Sequence, residues 1–365
     1  MSVVAHRRAL HRIPELDRKL PETTAYVEKV LRGLPCQVAA PIPGAVCAFF
    51  DAGKPDTVAF RADMDALPVT EETGLPYASC HPGRMHACGH DGHTAMALAL
   101  AELAARRLRE LPHNVLFLFQ PAEETTGGAQ ELCGTGILER HRTLRIFGLH
   151  LWPGLPAGTV WTRPGPLMAR SSEVTLHAAG KSVHLSRAEE GRDALWAACL
   201  FLRRAYRLAE TLPGERRVLR FGRMVSGSVR NAVSDRTELL GSLRSFDDRT
   251  FEAMKAGLRE IAEQTAAETG CALDLAISSG YPPVRNSEEL YQTVCRALGD
   301  DAPGLVQTPS LAAEDFSYYQ QHLPGLFCWL GVGDTAALHA PTFAFDDEAV
   351  LPKGTAFLER LMLLE

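Results

Sequence analysis

Asn114-Val-Leu-Phe-Leu-Phe-Gln120 is an unbroken apolar run that stops at Pro121-Ala-Glu-Glu124. Such a run, too short for a buried helix and bounded by turn residues, reads as a strand covered on both faces. Working outward, Ala45-Val-Cys-Ala-Phe-Phe50, Thr57-Val-Ala-Phe-Arg61 and Leu144-Arg-Ile-Phe-Gly-Leu-His150 read the same way, as does Gly325 to Leu330 near the end. Between two of them, Gly92 to Leu108 is rich in Ala and Leu and reads as a helix. Strands alternating with helices predict an α/β fold: a mostly parallel central sheet with helices on both faces.

From about Arg170 the pattern changes. Ser172 to Ala178, Arg217 to Val225, Thr237 to Ser245 and Ala272 to Ser279 read as strands, with helices at Asp193 to Glu210 and Phe251 to Thr269. That order, β-α-β-β-α-β, is an α+β ferredoxin-like unit. Arg163-Pro-Gly-Pro166 and Gly280-Tyr-Pro-Pro283 flank it and suit linkers. The expected division is therefore a catalytic domain in two parts, 1–168 and 282–365, with a lid or dimerisation domain, 169–281, inserted between them.

Composition narrows the function. Lys and Arg number 38 against 44 Asp and Glu, a net charge of −6, so nucleic acid and anionic membranes are not expected partners. A small molecule is. Nine Cys are scattered singly with no CxxC, which argues against a disulfide scaffold or a zinc ribbon. No spanning segment and no apolar signal core are visible, and the expectation is a cytoplasmic protein.

Metal-competent residues gather in five segments: Asp63 and Asp65 in Arg61-Ala-Asp-Met-Asp-Ala-Leu-Pro68, Met85-His-Ala-Cys-Gly-His-Asp-Gly-His93, Gln120-Pro-Ala-Glu-Glu124, Gly148-Leu-His-Leu-Trp152 and Leu338-His-Ala-Pro341. Four of these follow a predicted strand or sit at a strand-to-helix turn, the sheet edge where α/β proteins build ligand sites. Cys88 and His90, two apart in a glycine-punctuated loop, can face one ion; a solvated His-rich turn would leave the same pattern. His86 and His93 read as outer supporting or surface groups. Glu123 and Glu124, adjacent after an apolar strand, repel unless positive charge stands beside them. A metal supplies that charge, one carboxylate ligating while the other moves a proton; a helix dipole favouring an acidic first turn is the alternative. His150 and His339 taken singly suit structural histidines. With Cys88, His90 and Glu124 they make five donors, enough for two ions sharing a bridge.

Taken together, His11-Arg-Ile-Pro-Glu-Leu16, Phe60-Arg-Ala-Asp-Met-Asp-Ala-Leu-Pro68, Met85 to His93, Phe119-Gln-Pro-Ala-Glu-Glu124, Gly148 to Trp152, Ala313-Glu-Asp-Phe316 and Leu338-His339 resemble peptidase family M20. The resemblance is to its branch of hippurate hydrolases, N-acetyl-diaminopimelate deacetylases, auxin-conjugate hydrolases and bacterial aminoacylases. It implies Cys88, His90, Glu124, His150 and His339 as ligands of two divalent ions, with Cys88 bridging, Glu123 as general base and acid, and Asp65 orienting a ligand. In Gly180-Lys-Ser-Val-His184 it implies that His184 steadies the tetrahedral oxyanion, and it assigns Asn231 and Arg244 to the substrate carboxylate. Mixed S, N and O donors tolerate Zn, Mn, Co or Ni.

The activity so implied is metal-dependent hydrolysis of the amide of an N-acyl-L-amino acid; a metallo-dipeptidase or carboxypeptidase would use the same centre. A homodimer or higher homo-oligomer, paired through the inserted unit, is implied as well. A dead hydrolase kept as a metal-binding scaffold would have lost a ligand or the base, and every such position is filled here. A thiol-redox role lacks a second Cys near Cys88. Two departures lie in the inserted unit: Leu185-Ser-Arg-Ala188 where the family places a Pro after its His, and Asn231-Ala-Val-Ser-Asp235 for its Asn-Val-Ile-Pro-Asp. Both bear on substrate choice and leave the metal-ligand positions intact.

Overall fold

The apolar runs form the middle of one eight-stranded sheet in the computed structural model, which describes residues 1–365. Its strand order is Gln37–Ala39, Val46–Phe50, Asn114–Gln120, Thr57–Asp63, Thr143–Trp152, Gly325–Gly331, Val160–Thr162 and Gly304–Leu305. The four central strands, Asn114–Gln120 to Gly325–Gly331, are mutually parallel. Three of them are buried along their whole length and Thr143–Trp152 over Ile146 to Leu151, which is why their sequences show no alternation. A mostly parallel sheet with helices is thus confirmed, although Val46–Phe50 is antiparallel to both its neighbours and Val160–Thr162 is antiparallel to Gly325–Gly331.

The helix His90–Arg106 packs beside the central strands, with Ala95, Leu98, Leu100 and Ala101 in the core. It starts at Gly89, whose φ of +85° is left-handed, and a Cβ there would come within 2.8 Å of Leu151 Cδ1. Only glycine satisfies both demands. That glycine lets Cys88 and His90 stand at the C-terminal edge of the sheet, immediately before and at the start of the helix.

By contact density the chain separates into two units, 1–167 with 285–308 and 315–365, and 168–284 with 309–314. Within the second, an antiparallel sheet runs in the order Ala272–Ile277, Arg170–Ala179, Arg236–Ser245, Arg217–Ser226. Ala194–Thr211 and Asp248–Thr269 cover one face, each capped by an Asp side chain, Asp193 and Asp247, that accepts from first-turn N–H groups. Phe201, Phe251, Met254 and Leu258 from the helices meet Val174, Leu176, Leu239 and Leu243 of the sheet.

One segment departs from the expected division. Residues 309–314 fall with the second unit, because Ala169 N donates to Ser310 O and Ala312 O and Arg244 Nη1 donates to Leu311 O. Contacts over such a sequence separation leave no trace in local composition. No helix is long and apolar enough to cross a membrane.

Candidate active site

Strand ends and the loops that follow them bring five donor residues of the first unit together. Ligand atoms of Cys88, His90 and Glu124 lie within 4.8 Å of one another. Cys88 Sγ is 3.5 Å from His150 Nε2, and His339 Nε2 is 3.2 Å from Glu124 Oε1. His339 is the exposed member, and its φ of +68° puts a non-glycine residue in the left-handed region. A backbone bond from His339 N to Ala87 O, 2.8 Å, joins its loop to the Cys88 segment. Strain of this kind concentrates at functional positions.

Each buried imidazole is oriented by its other nitrogen. His90 Nδ1 donates to Asp65 O at 2.8 Å and His150 Nδ1 donates to Leu151 O at 2.7 Å, leaving both Nε2 atoms turned to the cluster. His90 Nε2 is buried with no hydrogen-bond partner, 3.8 Å from Glu124 Oε1, the oxygen that His339 Nε2 approaches at 3.2 Å. A buried nitrogen left unpaired costs free energy, and one that converges on a carboxylate and a thiol is placed to share a cation with them. The donor set of thiol, imidazole and carboxylate, with both imidazoles fixed from behind, fits divalent metal ions.

Charge gives the same answer. Burial alone would lower the pKa of His90, but Asp63, Asp65 and Glu124 outweigh it and hold it up at about 10. Burial alone would raise Glu124, and His339 and His90 pull it down to about 2. Cys88 is pushed well up by burial and then by Glu124 and Glu123, and a cation beside its sulfur would favour the thiolate. His150 is held low, first by burial and then by His93. The carboxylates around His90 thus favour positive charge at this place.

Residues 59–364 match the description Peptidase family M20/M25/M40. The chain belongs to this family. It is 36% identical over 377 residues to an N-acetyldiaminopimelate deacetylase of Lacticaseibacillus paracasei, covering 99% of this chain and 98% of that one. It is 34% identical over 361 residues to the N-acetyl-L-cysteine deacetylase of Bacillus subtilis, with 98% and 86% covered. A solved dinuclear metal-binding peptidase of the M20 family from Bacillus subtilis superposes with a TM-score of 0.86 at 31% identity, over 99% of this chain and 96% of that one. This M20 chain is therefore a metal-dependent hydrolase of amide bonds, with a buried His, Asp, Cys and Glu cluster to hold metal.

Two sequence candidates resolve differently from the surface alternative given for them. His86 and His93 are both buried. His93 Nδ1 donates to Asp63 Oδ1 at 2.6 Å while its Nε2 accepts from Leu151 N at 2.9 Å, so both nitrogens are spent and His93 fixes the strand end that carries His150. Asp63 is spent too, between His93 and Arg61. Asp65 accepts from the backbone N–H of Glu123 and of Glu124, 3.1 Å each, which sets the loop bearing both carboxylates. Sequence reasoning missed this reach across the sheet edge, although the Asp-Met-Asp spacing signals it: residues two apart on a strand end point to one side. It missed Arg7 and His11 as well, whose side chains grip Asp91 at 2.9 and 2.8 Å, next to His90.

In the second unit, His184 and Asn231 belong to facing loops, since His184 bridges Ala232 and Leu185 N donates to Asn231 O. Both are exposed. Arg244 is half-buried at the far end of the strand Arg236–Ser245. The eight steps from Arg236 to Arg244 span roughly 27 Å at about 3.4 Å per residue.

Proposed function

We propose that this M20 enzyme hydrolyses the amide of an N-acyl-L-amino acid, releasing a carboxylic acid and the free amino acid. The observation that carries the reading is the convergence of Cys88, His90, Glu124, His150 and His339 beside Glu123, with His90 Nε2 buried and unpaired among them. These five residues would hold two divalent ions, Zn, Mn, Co or Ni. Bound there, such ions polarise the scissile carbonyl and make water a stronger acid. Glu123 accepts a proton from the attacking water as its oxygen bonds to the acyl carbon. It gives that proton to the nitrogen as the C–N bond breaks. Asp65 holds the Glu123 backbone, His184 donates to the developing oxyanion, and Asn231 and Arg244 hold the α-carboxylate, Arg through its two parallel N–H groups. The deacetylases among the relatives support an acyl amino acid over a dipeptide.

The reading includes a homodimer. His184 and Asn231 stand at one end of the inserted sheet and Arg244 at the other, too far apart for one chain to apply all three to one amino acid. A second copy supplies the missing end. Exposed Trp196, 57% accessible, and the edge strand Arg217–Ser226 offer apolar and backbone surface for that pairing.

The test is a panel of acetyl, benzoyl and indoleacetyl amino acids, their amides, and free dipeptides, assayed after reconstitution with each metal. Acyl amino acids should be cleaved and their amides poorly. Glu123→Gln should keep its metal and lower turnover by roughly 10² to 10⁴. A variant retaining more than about a tenth of wild-type turnover would remove Glu123 from its role.

A further inference from the structure

Asp315, in Ala313-Glu-Asp-Phe316, is not among the five donor residues described above, yet it is fully buried and placed at the root of the loop that bears both glutamates. The strand Asn114–Gln120 ends at Gln120 and the helix Gly128–Gly134 begins eight residues later. Asp315 Oδ2 accepts from Gln120 Nε2 at 2.7 Å and from Ala129 N at 3.0 Å, so one oxygen grips both ends of the intervening loop. Asp315 Oδ1 accepts from Arg61 Nη2 at 2.7 Å. Gln120 is fixed in turn, its Oε1 accepting from Arg61 Nε at 2.9 Å and from Tyr319 Oη at 3.0 Å.

The loop so gripped is a tight one. Ala122 has a φ of +60°, Gly127 N donates back to Ala122 O at 2.9 Å, and a Cβ on Gly128 would lie 2.1 Å from Pro121 O. Opening of the Asp315 clasp would release both the strained Ala122 and the close Gly128 crossing. Glu123 lies in the middle of this loop, and one of its carboxylate oxygens is within 4.8 Å of one on Asp315.

We propose that Asp315 is a positioning residue for Glu123: it sets the height of the proton-transfer loop over the metal cluster without touching substrate. This rests on Glu123 being the base. A misplacement of about 1 Å costs roughly 10² in rate, so a clasp at the root of the loop has a catalytic effect at a distance.

Asp315→Asn tests it, because the amide must turn a donor either toward Arg61 or toward Gln120 and Ala129, where donors already point. In the metal-loaded enzyme we expect kcat to fall about 10- to 100-fold with KM within about threefold of wild type. Amide exchange over 121–129 should quicken about tenfold or more, while Thr57–Asp63 and Gly325–Gly331 exchange as before. Gln120→Glu, which keeps the acceptor for Arg61 and Tyr319 and sets a carboxylate against Asp315, should show the same pattern and decides the matter if Asp315→Asn fails to fold. Unchanged exchange over 121–129, faster exchange throughout the first unit, or faster loop exchange with kcat intact would each overturn the proposal. Failure of the base assignment is distinct: Glu123→Gln would then keep its turnover whatever the loop does.

Discussion

Replacing Asp63 by Asn can be followed atom by atom. Asp63 Oδ1 takes the proton of His93 Nδ1, Oδ2 takes Arg61 Nη1 at 2.7 Å, and His93 Nε2 is committed to Leu151 N. An Asn must present an N–H at one of these places. Turned to Arg61 it faces a donor; turned to His93 it drives the ring proton to Nε2, where it meets Leu151 N–H. Either way a buried donor loses its acceptor, at about 1 to 3 kcal/mol. Arg61, itself buried, also keeps only Asp315 of its two carboxylates. Removal of one partner from a buried ion pair costs about 3 to 5 kcal/mol, a range that includes the unpaired donor. Urea unfolding followed by Trp fluorescence reads this cost in a Trp196→Phe background, where Trp152, Trp161 and Trp329 all report on the first unit. A chelator removes any contribution from bound ions. At a slope of about 3 kcal/mol/M the midpoint should fall by about 1 to 1.7 M. A fall under about 0.3 M would refute the fixed-tautomer argument for His93.

Three further outcomes are expected. Mixing Glu123→Gln with His184→Ala subunits should restore activity on exchange, since the sheet separates His184 from Arg244; no recovery with proven exchange means that each chain completes its own site. Cys88 should resist alkylation in the metal-loaded protein and, on chelation, become reactive only at strongly alkaline pH, where its raised thiol begins to ionise; equal labelling of the two states at that pH would exclude a metal-bound thiolate. Burial would lower His11, but Asp91 and Glu71 outweigh it and raise it to about 9. The stabilisation, about 3 kcal/mol, is therefore complete below the unfolded value near 6.5 and lost as pH rises to 9. His11→Gln should flatten that part of the stability profile, and an unchanged slope would refute the assignment.

Period and composition revealed the architecture because strands buried on both faces and helices on one face announce themselves locally. The strands and helices of the second unit were legible for the same reason, from Ser172 to Ser279. The cluster of Cys88, His90 and Glu124 was legible because the sequence crowds special residue types at strand ends. What was illegible depends on distant partners. Arg61 and Asp315 are 254 positions apart and meet in the core, so neither looks buried in sequence. Asp65 acts through backbone N–H groups, which every residue possesses. Ala122 and His339 take left-handed backbone that their identities do not advertise, since Gly or Asn is the usual sign of it. His93 lies in the same sequence cluster as His90, and only its bonds to Asp63 and to Leu151 N–H show that both its nitrogens are spent.

The place of Gly325–Gly331 in the sheet governs how this protein must be made. It lies between Thr143–Trp152 and Val160–Thr162, strands that leave the ribosome far earlier. At about 5 to 20 residues per second, Trp152 waits roughly 10 to 35 s for Gly331. All four strands of the inserted unit are complete by Ile277 and can pair within that interval. The Thr143–Trp152 edge meanwhile presents an apolar strand with unpaired N–H and C=O groups, a template for pairing with another nascent chain. Synthesis of this enzyme therefore passes through an aggregation-exposed stage, and a chain stopped before Gly325 leaves Thr143–Trp152 and Val160–Thr162 without the strand that joins them.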